Sequence, residues 1–215
     1  VRYMTLTHTN TNGWADSSGD LDDHSVTRHD GLTPLGRQIV REMNRLGMMV
    51  DISHVSDKTF WDVLEISTAP VIASHSSCRA ISNVPRNMTD PMIVALAKKG
   101  GVIHMNFNCA FLSQKTADSE QRKPQAERGK NAIPATLADV VEHINHVVKL
   151  VGVDAVGIGS DFDGVTCTPT GLEDVSKFPN LTRALLEEGY TPVNIRKMYG
   201  GNTLRVMRAV EAIAR

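Results

Sequence analysis

Cysteine is scarce in this sequence. Cys78, Cys109 and Cys167 are the 3 cysteines among 215 residues, widely spaced and odd in number, so neither a disulfide framework nor a cysteine-type zinc cluster is indicated, and all are expected to stay thiols. Excess charge of either sign is lacking too, since 23 Lys and Arg stand against 24 Asp and Glu for a formal net charge of -1. That removes the electrostatic case for nucleic acid or an anionic membrane as partner and favours a small or neutral ligand. No apolar run approaches the roughly 20 residues a membrane span requires, so no span is expected in this segment. Also missing are an internal repeat, a domain boundary, and the early glycine-rich phosphate turn of a nucleotide-binding open sheet. The first residue is valine, and strand-like sequence follows at once. Core strands rarely open a natural chain, so sequence preceding Val1, with any export signal, is expected.

What remains is the composition of a globular domain, 41% hydrophobic and 22% charged, in which strand-like and helix-like segments alternate. Thr33 and Pro34 give an N-cap and a proline at the first helical position, after which Leu35, Ile39, Val40, Met43 and Leu46 recur at helical spacing until Gly47. Ser56 caps a second helix carrying Phe60, Val63 and Leu64; Asp90 and Pro91 open a third with Ile93 and Leu96; a fourth runs from Thr136 to Gly152. The tail from Thr191 to Ile213 reads as two helical pieces parted at Gly200 and Gly201. Between the helices lie short apolar runs at 3–7, 48–53, 70–74, 101–107 and 155–160, of the length expected for strands buried on both faces. Residues 10–31 and 113–131 are polar and read as long loops. The pattern predicts an α/β fold of β/α units around a parallel sheet, with too few units to close an eight-stranded barrel alone.

The chemistry-bearing residues fall in register with those strands. His8, His54, His75 and Asp161 each stand at the C-terminal end of an apolar run, where the loops of β/α barrels gather catalytic groups. A lone histidine after a strand is usually a hydrogen-bonded loop residue. Such placement on nearly every strand argues instead for imidazole and carboxylate ligands of a catalytic zinc. His104 within a strand, and His143 and His146 on a helix, are read as structural; His24 and His29 are read as solvated loop residues. Period-two alternation through Gly159–Gly164 would put Asp161 and Asp163 on one face. Asp161, nearer the strand end, is preferred, and Asp163 orders the turn. In the loop after His75, Arg86 or its rival Arg79 is placed to clamp a substrate carboxylate or, equally, to form a surface salt bridge.

These residues sit in motifs that resemble the membrane (renal) dipeptidases, zinc metallopeptidases of family M19. The resemblance runs over almost the whole chain: Tyr3–His8, Asn12–Asp16, Gly31–Gly36, Asn44–Gly47, Asp51–Ser56, Pro70–Ser77, Arg86–Asn87, Gly159–Gly164 and Gly171–Val175, in that order. It implies an amidohydrolase-like, TIM-type (β/α)8 barrel, with residues 1–215 as a single partial domain that supplies the last five β/α units and lacks the N-terminal strands. It further implies two zinc ions in the complete enzyme and hydrolysis of dipeptides, some with a D-residue at the C-terminal position, by a metal-bridging hydroxide. Carried over residue by residue, His54 and His75 resemble the ligands of the second zinc, and Asp161 the carboxylate that contacts the first zinc and handles protons. His8 resembles the residue that stabilises the oxyanion, and Arg86 the one that holds the substrate's free carboxylate. The family's early His-x-Asp pair and bridging glutamate have no counterpart here, so the 215 residues are expected to be inactive alone. The same resemblance admits a metal-dependent hydrolase of another amide or lactam, or a catalytically silent binding or maturation protein. It also raises a homodimer and an exported or membrane-attached location.

Overall fold

Each of the short apolar runs becomes a strand. In the computed structural model, which describes residues 1–214, they form β1 (Tyr3–Thr5), β2 (Met49–Asp51), β3 (Ile72–Ser76), β4 (Val102–Met105) and β5 (Val156–Ile158). All pair in parallel, in the order β1-β2-β3-β4-β5, with Met4 beside Val50, Asp51 beside Ile72, Ile72 beside Val102 and His104 beside Gly157. β2 and β4 are buried along their whole length, which is why their sequences, Asp51 and His104 apart, are apolar without alternation. Every strand lies beside its predecessor, so the winding never reverses as it would at the switch point of a doubly wound sheet. This is the α/β winding of a TIM-like barrel, with five strands of it present.

The helices are α1 (Pro34–Arg45), α2 (Asp57–Ile66), α3 (Asp90–Lys98), α4 (Cys109–Leu112), α5 (Gln114–Gln121), α6 (Leu137–Val151), α7 (Phe178–Glu187), α8 (Pro192–Arg196) and α9 (Asn202–Glu211). Caps fix where the main ones start. Thr33 Oγ1 accepts from Gly36 N at 3.2 Å, Ser56 Oγ accepts from Thr59 N at 3.2 Å, and Thr136 with Asp139 closes a capping box. Each cap contributes about 1 kcal/mol. α1 turns Gly36, Val40, Met43 and Asn44 inward, whereas Leu35 and Leu46, expected on the apolar stripe, are about half exposed. Gly36 sets that rotation, because its bare face meets the Trp14 carbonyl oxygen, which would stand 2.1 Å from any Cβ there.

Other expectations need correction. The polar stretch 113–131 contains α5, which Ser113 caps and which turns Thr116, Ala117 and Glu120 inward; Thr116 Oγ1 donates to Ile133 O at 2.9 Å. A helix whose buried face is largely polar shows no apolar period to read. α7 was not anticipated; it begins at Phe178 with Pro179 behind it and buries Leu181 and Leu185. Cys109 and Cys167 are joined in a disulfide across 58 residues, leaving Cys78 as a buried free thiol. Spacing along the chain carries no information on a pairing between two loops that the sheet brings together.

Phe60, Ile93, Leu96, Ile103, Ile144 and Leu181 belong to the main core. A smaller cluster closes the N-terminal ends of β2, β3 and β4, where Val206 and Val210 of α9 pack on Met49, Ile72 and Val102. The C-terminal ends of the strands are left to the loops.

Candidate active site

Loops after the strands enclose a cavity of about 560 Å³. His8, His54, His75, Arg86 and Asp161 all line it, together with Trp14, Asn108 and Phe111. A larger cleft of about 740 Å³ lies along α2 and the 28–30 loop, but its cations are already paired: Arg28 with Asp20, Lys58 with Asp62 and Arg79 with Asp57. The smaller cavity therefore holds the available chemistry.

His8, His54 and Asp161 follow β1, β2 and β5, whereas His75 lies inside β3 and not after it. The β3–β4 register shifts between Ala73 and Ser76, an irregularity of the kind that re-aims a side chain next to a site. The rings meet in sequence, His8 against His54 at 4.5 Å between centroids and His54 against His75 at 4.8 Å. Nε2 of His54 and Nε2 of His75 face each other at 2.7 Å.

Two of the cavity residues hold left-handed backbone, His54 at φ 72° and Asp161 at φ 63°, a conformation uncommon for residues with a side chain. Hydrogen bonds hold both. The His54 carbonyl accepts from Ser18 N at 2.7 Å and Ser18 Oγ at 3.0 Å, with Ser17 Oγ 3.1 Å away and shared with the nearer His8 O at 2.6 Å. Asp161 O accepts from Gly164 N at 3.0 Å, and Asp161 Oδ2 accepts from Asn106 Nδ2 at 3.0 Å. A Cβ on residue 164 would stand 2.4 Å from Asp161 Oδ1, so a side chain there would displace the Asp161 carboxylate. The left-handed turn at Asp161 also breaks the expected alternation: Asp163 is exposed and does not line the cavity.

Burial is the largest influence on the histidines. It pushes His54 down to about 2, with the charges of Arg86, His75 and His8 acting in the same direction. His75 is lowered too, by burial first and Arg86 next, against the opposing pull of Asp51 and Asp161. Both imidazoles are thus held neutral, the form that ligates metal. Burial likewise pushes the Arg86 guanidinium down to about 10, against the carboxylates of Asp51 and Asp161. Arg86 Nη2 donates to His75 O at 3.2 Å, and the guanidinium lies 5.4 Å from the centre of the Phe111 ring. Among the described residues no carboxylate lies within ion-pair distance of Arg86, while its rival Arg79 is held in a two-pronged pair by Asp57 at 2.7 and 2.8 Å. The remaining buried histidines face elsewhere. His104 is bonded to Ala73 O and Thr203 Oγ1, His143 to Cys78 N and Leu112 O, and His146 to Asp90.

One buried group went unremarked in the sequence. Asp51, fully buried, accepts from Thr5 Oγ1 at 2.5 Å, Ser53 N at 3.0 Å, Ser74 N at 2.8 Å and Ser74 Oγ at 2.5 Å. A lone carboxylate inside an otherwise apolar strand run was the available signal, since Asp is rarely buried without a task.

The donor chemistry can be tested against zinc. Two neutral imidazole nitrogens are suitable ligands; two ligands of one tetrahedral ion stand about 3.3 Å apart, so the facing pair would open by about 0.6 Å to receive it. Among the described residues no group of three or more His, Cys, Asp or Glu converges to hold a metal. The pair therefore fits zinc in donor type, as two nitrogens of a set that other donors must complete.

The family model described as membrane dipeptidase (peptidase family M19) matches residues 1–215. Among curated proteins, dipeptidase verJ of Clonostachys rogersoniana is 45% identical over 214 residues, which is 100% of this chain and 50% of verJ. The chain spans about half the length of the curated relatives it matches. Among solved structures, the probable dipeptidase PvdM from Pseudomonas aeruginosa superposes with a TM-score of 0.88 at 30% identity, covering 100% of this chain and 64% of PvdM. A metallopeptidase from Rhodobacter sphaeroides, liganded with a phosphinate mimic of the dipeptide L-Ala-D-Ala, superposes with a TM-score of 0.81 at 29% identity, covering 98% of this chain and 56% of that one.

Proposed function

Since the chain belongs to the membrane dipeptidase family, peptidase family M19, we propose that it carries one zinc-binding half and the carboxylate clamp of a dipeptide-hydrolysing site. A single observation carries the reading: His8, His54, His75, Arg86 and Asp161 open onto one cavity, with His54 and His75 nitrogen to nitrogen. In this reading His54 and His75 hold one zinc ion, Asp161 reaches a second, and donors outside these 215 residues complete both. Bound zinc supplies Lewis acidity, lowering the pKa of water toward about 7 and polarising the scissile carbonyl.

The chain's own groups bind, orient and move protons. Arg86, partly buried beneath Phe111 and free of a carboxylate partner among the described residues, holds the substrate's terminal carboxylate through a two-pronged hydrogen bond. Holding that group limits substrates to one residue beyond the scissile bond, hence to dipeptides. His8, exposed at the cavity wall, donates to the carbonyl oxygen as negative charge develops on it. Asp161, oriented by Asn106, accepts a proton from the attacking water and delivers it to the leaving amine. The dipeptide mimic held by the Rhodobacter sphaeroides neighbour supports this substrate class, a D-residue at the C-terminal position included.

Zinc-dependent dipeptide hydrolysis is the test. The 215-residue chain is expected to retain zinc weakly and to cleave dipeptides little or not at all, while the full-length enzyme cleaves them and loses that activity in His75→Ala. Robust cleavage by the chain alone, abolished by EDTA, would show that no outside donors are needed. Undiminished cleavage by the full-length His75→Ala enzyme would remove His75 from the site.

A further inference from the structure

The buried carboxylate of Asp51 is connected to His75 through one hydroxyl. Ser74 Oγ stands 2.5 Å from Asp51 Oδ2 and 2.7 Å from His75 Nδ1. A serine hydroxyl has one proton to give. Oδ1 of Asp51 accepts from the backbone N–H groups of Ser53 and Ser74, and Oδ2 faces the hydroxyls of Thr5 and Ser74. Such a cage of donors, with the Arg86 charge near it, suits a carboxylate that only accepts. The Ser74 proton then goes to Asp51, and the oxygen is left to accept from Nδ1–H of His75. His75 must therefore present a bare lone pair at Nε2, the atom that faces His54.

We propose that Asp51 is a positioning residue which acts through Ser74 to fix His75 as the Nδ1–H tautomer, with its Nε2 lone pair held at the metal position. This rests on the reading of His75 as a zinc ligand. It also explains an otherwise isolated fact about His54. If His75 Nε2 is an acceptor, the 2.7 Å contact makes His54 Nε2 the donor, which leaves His54 Nδ1 as a bare lone pair. His54 Nδ1 is the buried ring nitrogen that has no partner among the described residues, and a bare acceptor without a partner is easier to bury than an N–H. The two imidazoles are thus unequal. His75 is set for a metal beforehand, while His54 must exchange its Nε2 proton for one on Nδ1 to let an ion in between.

Nitrogen-15 NMR of the histidine rings in the metal-free full-length protein reads the tautomer directly, and zinc titration of the same samples reads its consequence. In the wild type, His75 is expected to be protonated at Nδ1 and bare at Nε2. Ser74→Ala, which leaves the Asp51 backbone bonds in place, is expected to mix the tautomers and to weaken zinc by about 10- to 100-fold; Ser74→Thr, which keeps a hydroxyl, is expected to restore both. His75 protonated at Nε2 in the wild type would overturn the proposal, as would a Ser74→Ala protein with unchanged tautomer and zinc affinity. A His75→Ala protein that bound zinc as tightly as the wild type would instead overturn the ligand reading, whatever tautomer the wild type showed.

Discussion

Replacing Arg86 with methionine is expected to make the protein more stable and the site useless. The guanidinium sits partly buried in the cavity, near the carboxylates of Asp51 and Asp161 but paired with neither, and burial lowers its pKa from the usual 12.5 to about 10. At 1.36 kcal/mol per pKa unit, holding the charge in the folded protein costs about 3 kcal/mol relative to the unfolded chain. Because the folded pKa is the lower one, that cost is present at every pH below about 10 and is relieved only as the pH rises through that value. Methionine removes the charge and keeps most of the stem. Lost with the guanidinium are its hydrogen bond to His75 O and its contact with Phe111, together worth about 1–2 kcal/mol. The balance is a gain of about 1–2 kcal/mol, or a rise in Tm of roughly 2–8 °C for a chain of this size. Calorimetric binding of a dipeptide and of its C-terminal amide to the zinc-loaded enzyme supplies the other half. The wild type is expected to prefer the free carboxylate by roughly 30-fold or more, and Arg86→Met to bind the two alike. A variant that melts lower than the wild type, or that still prefers the carboxylate, would refute the picture of a strained clamp waiting for its anion.

Reducing the Cys109–Cys167 bond, or replacing both cysteines with alanine, should cost about 4 kcal/mol by the loop-entropy relation for a closure of 58 residues. Denaturant melts with and without reductant measure it, and a difference under about 1 kcal/mol would mean that the two loops are held together by packing alone. Acid should also destabilise the metal-free protein. His54 is lowered to about 2 and His75 is lowered too, so the unfolded chain takes up protons near the ordinary histidine value of about 6.5 while the folded one does not. Their contribution is fully present above pH 6.5 or so and is lost progressively as the pH falls toward the folded values. Denaturant melts at pH 7.5 and pH 5 test this, with His54→Gln expected to flatten the difference.

The fold could be read from sequence wherever one local rule decided the outcome. Met49–Asp51 and Val102–Met105 lie in short, largely apolar runs without period, as strands buried on both faces do, and Thr33, Ser56 and Thr136 announce helices through side-chain caps that the structure reproduces. The readings that failed needed contacts between distant residues. α5 buries Thr116 and Glu120 and gives no apolar stripe. The outward turn of Leu35 and Leu46 follows from a close approach between Gly36 and the Trp14 backbone. The disulfide joins a helix start after β4 to a loop after β5. For the cavity, strand-end position was sufficient to bring His8, His54 and Asp161 together, because parallel strands put all their C-terminal ends on one side, whereas His75 reaches it from within the last residues of β3. Spacing alone left Arg86 and Arg79 level and the family resemblance favoured Arg86; that Arg79 is held by Asp57, on another element, is visible only in the structure.

What sequence could not show is where the molecule departs from its own best packing; Asp30, Asn131 and the buried Asn44 Nδ2 do so elsewhere, but several such departures meet at the cavity. His54 and Asp161 hold backbone that non-glycine residues avoid, at about 1–2 kcal/mol each. Asp51 is a fully buried carboxylate, and among the described residues Arg86 is a desolvated cation with no anion at ion-pair distance and His54 Nδ1 a buried atom with no partner. Any one of these has a structural explanation nearby, such as the hydrogen bonds from Ser17 and Ser18 that hold the His54 carbonyl. Their coincidence does not, because a chain selected for stability alone would distribute such costs or remove them by apolar substitution. These stand in or directly behind the walls of a single cavity, where a carboxylate on Arg86 would offset the cost of that unpaired charge. The costs gathered at this cavity thus mark one place in a chain that belongs to the membrane dipeptidase family as the place where stability has been given up.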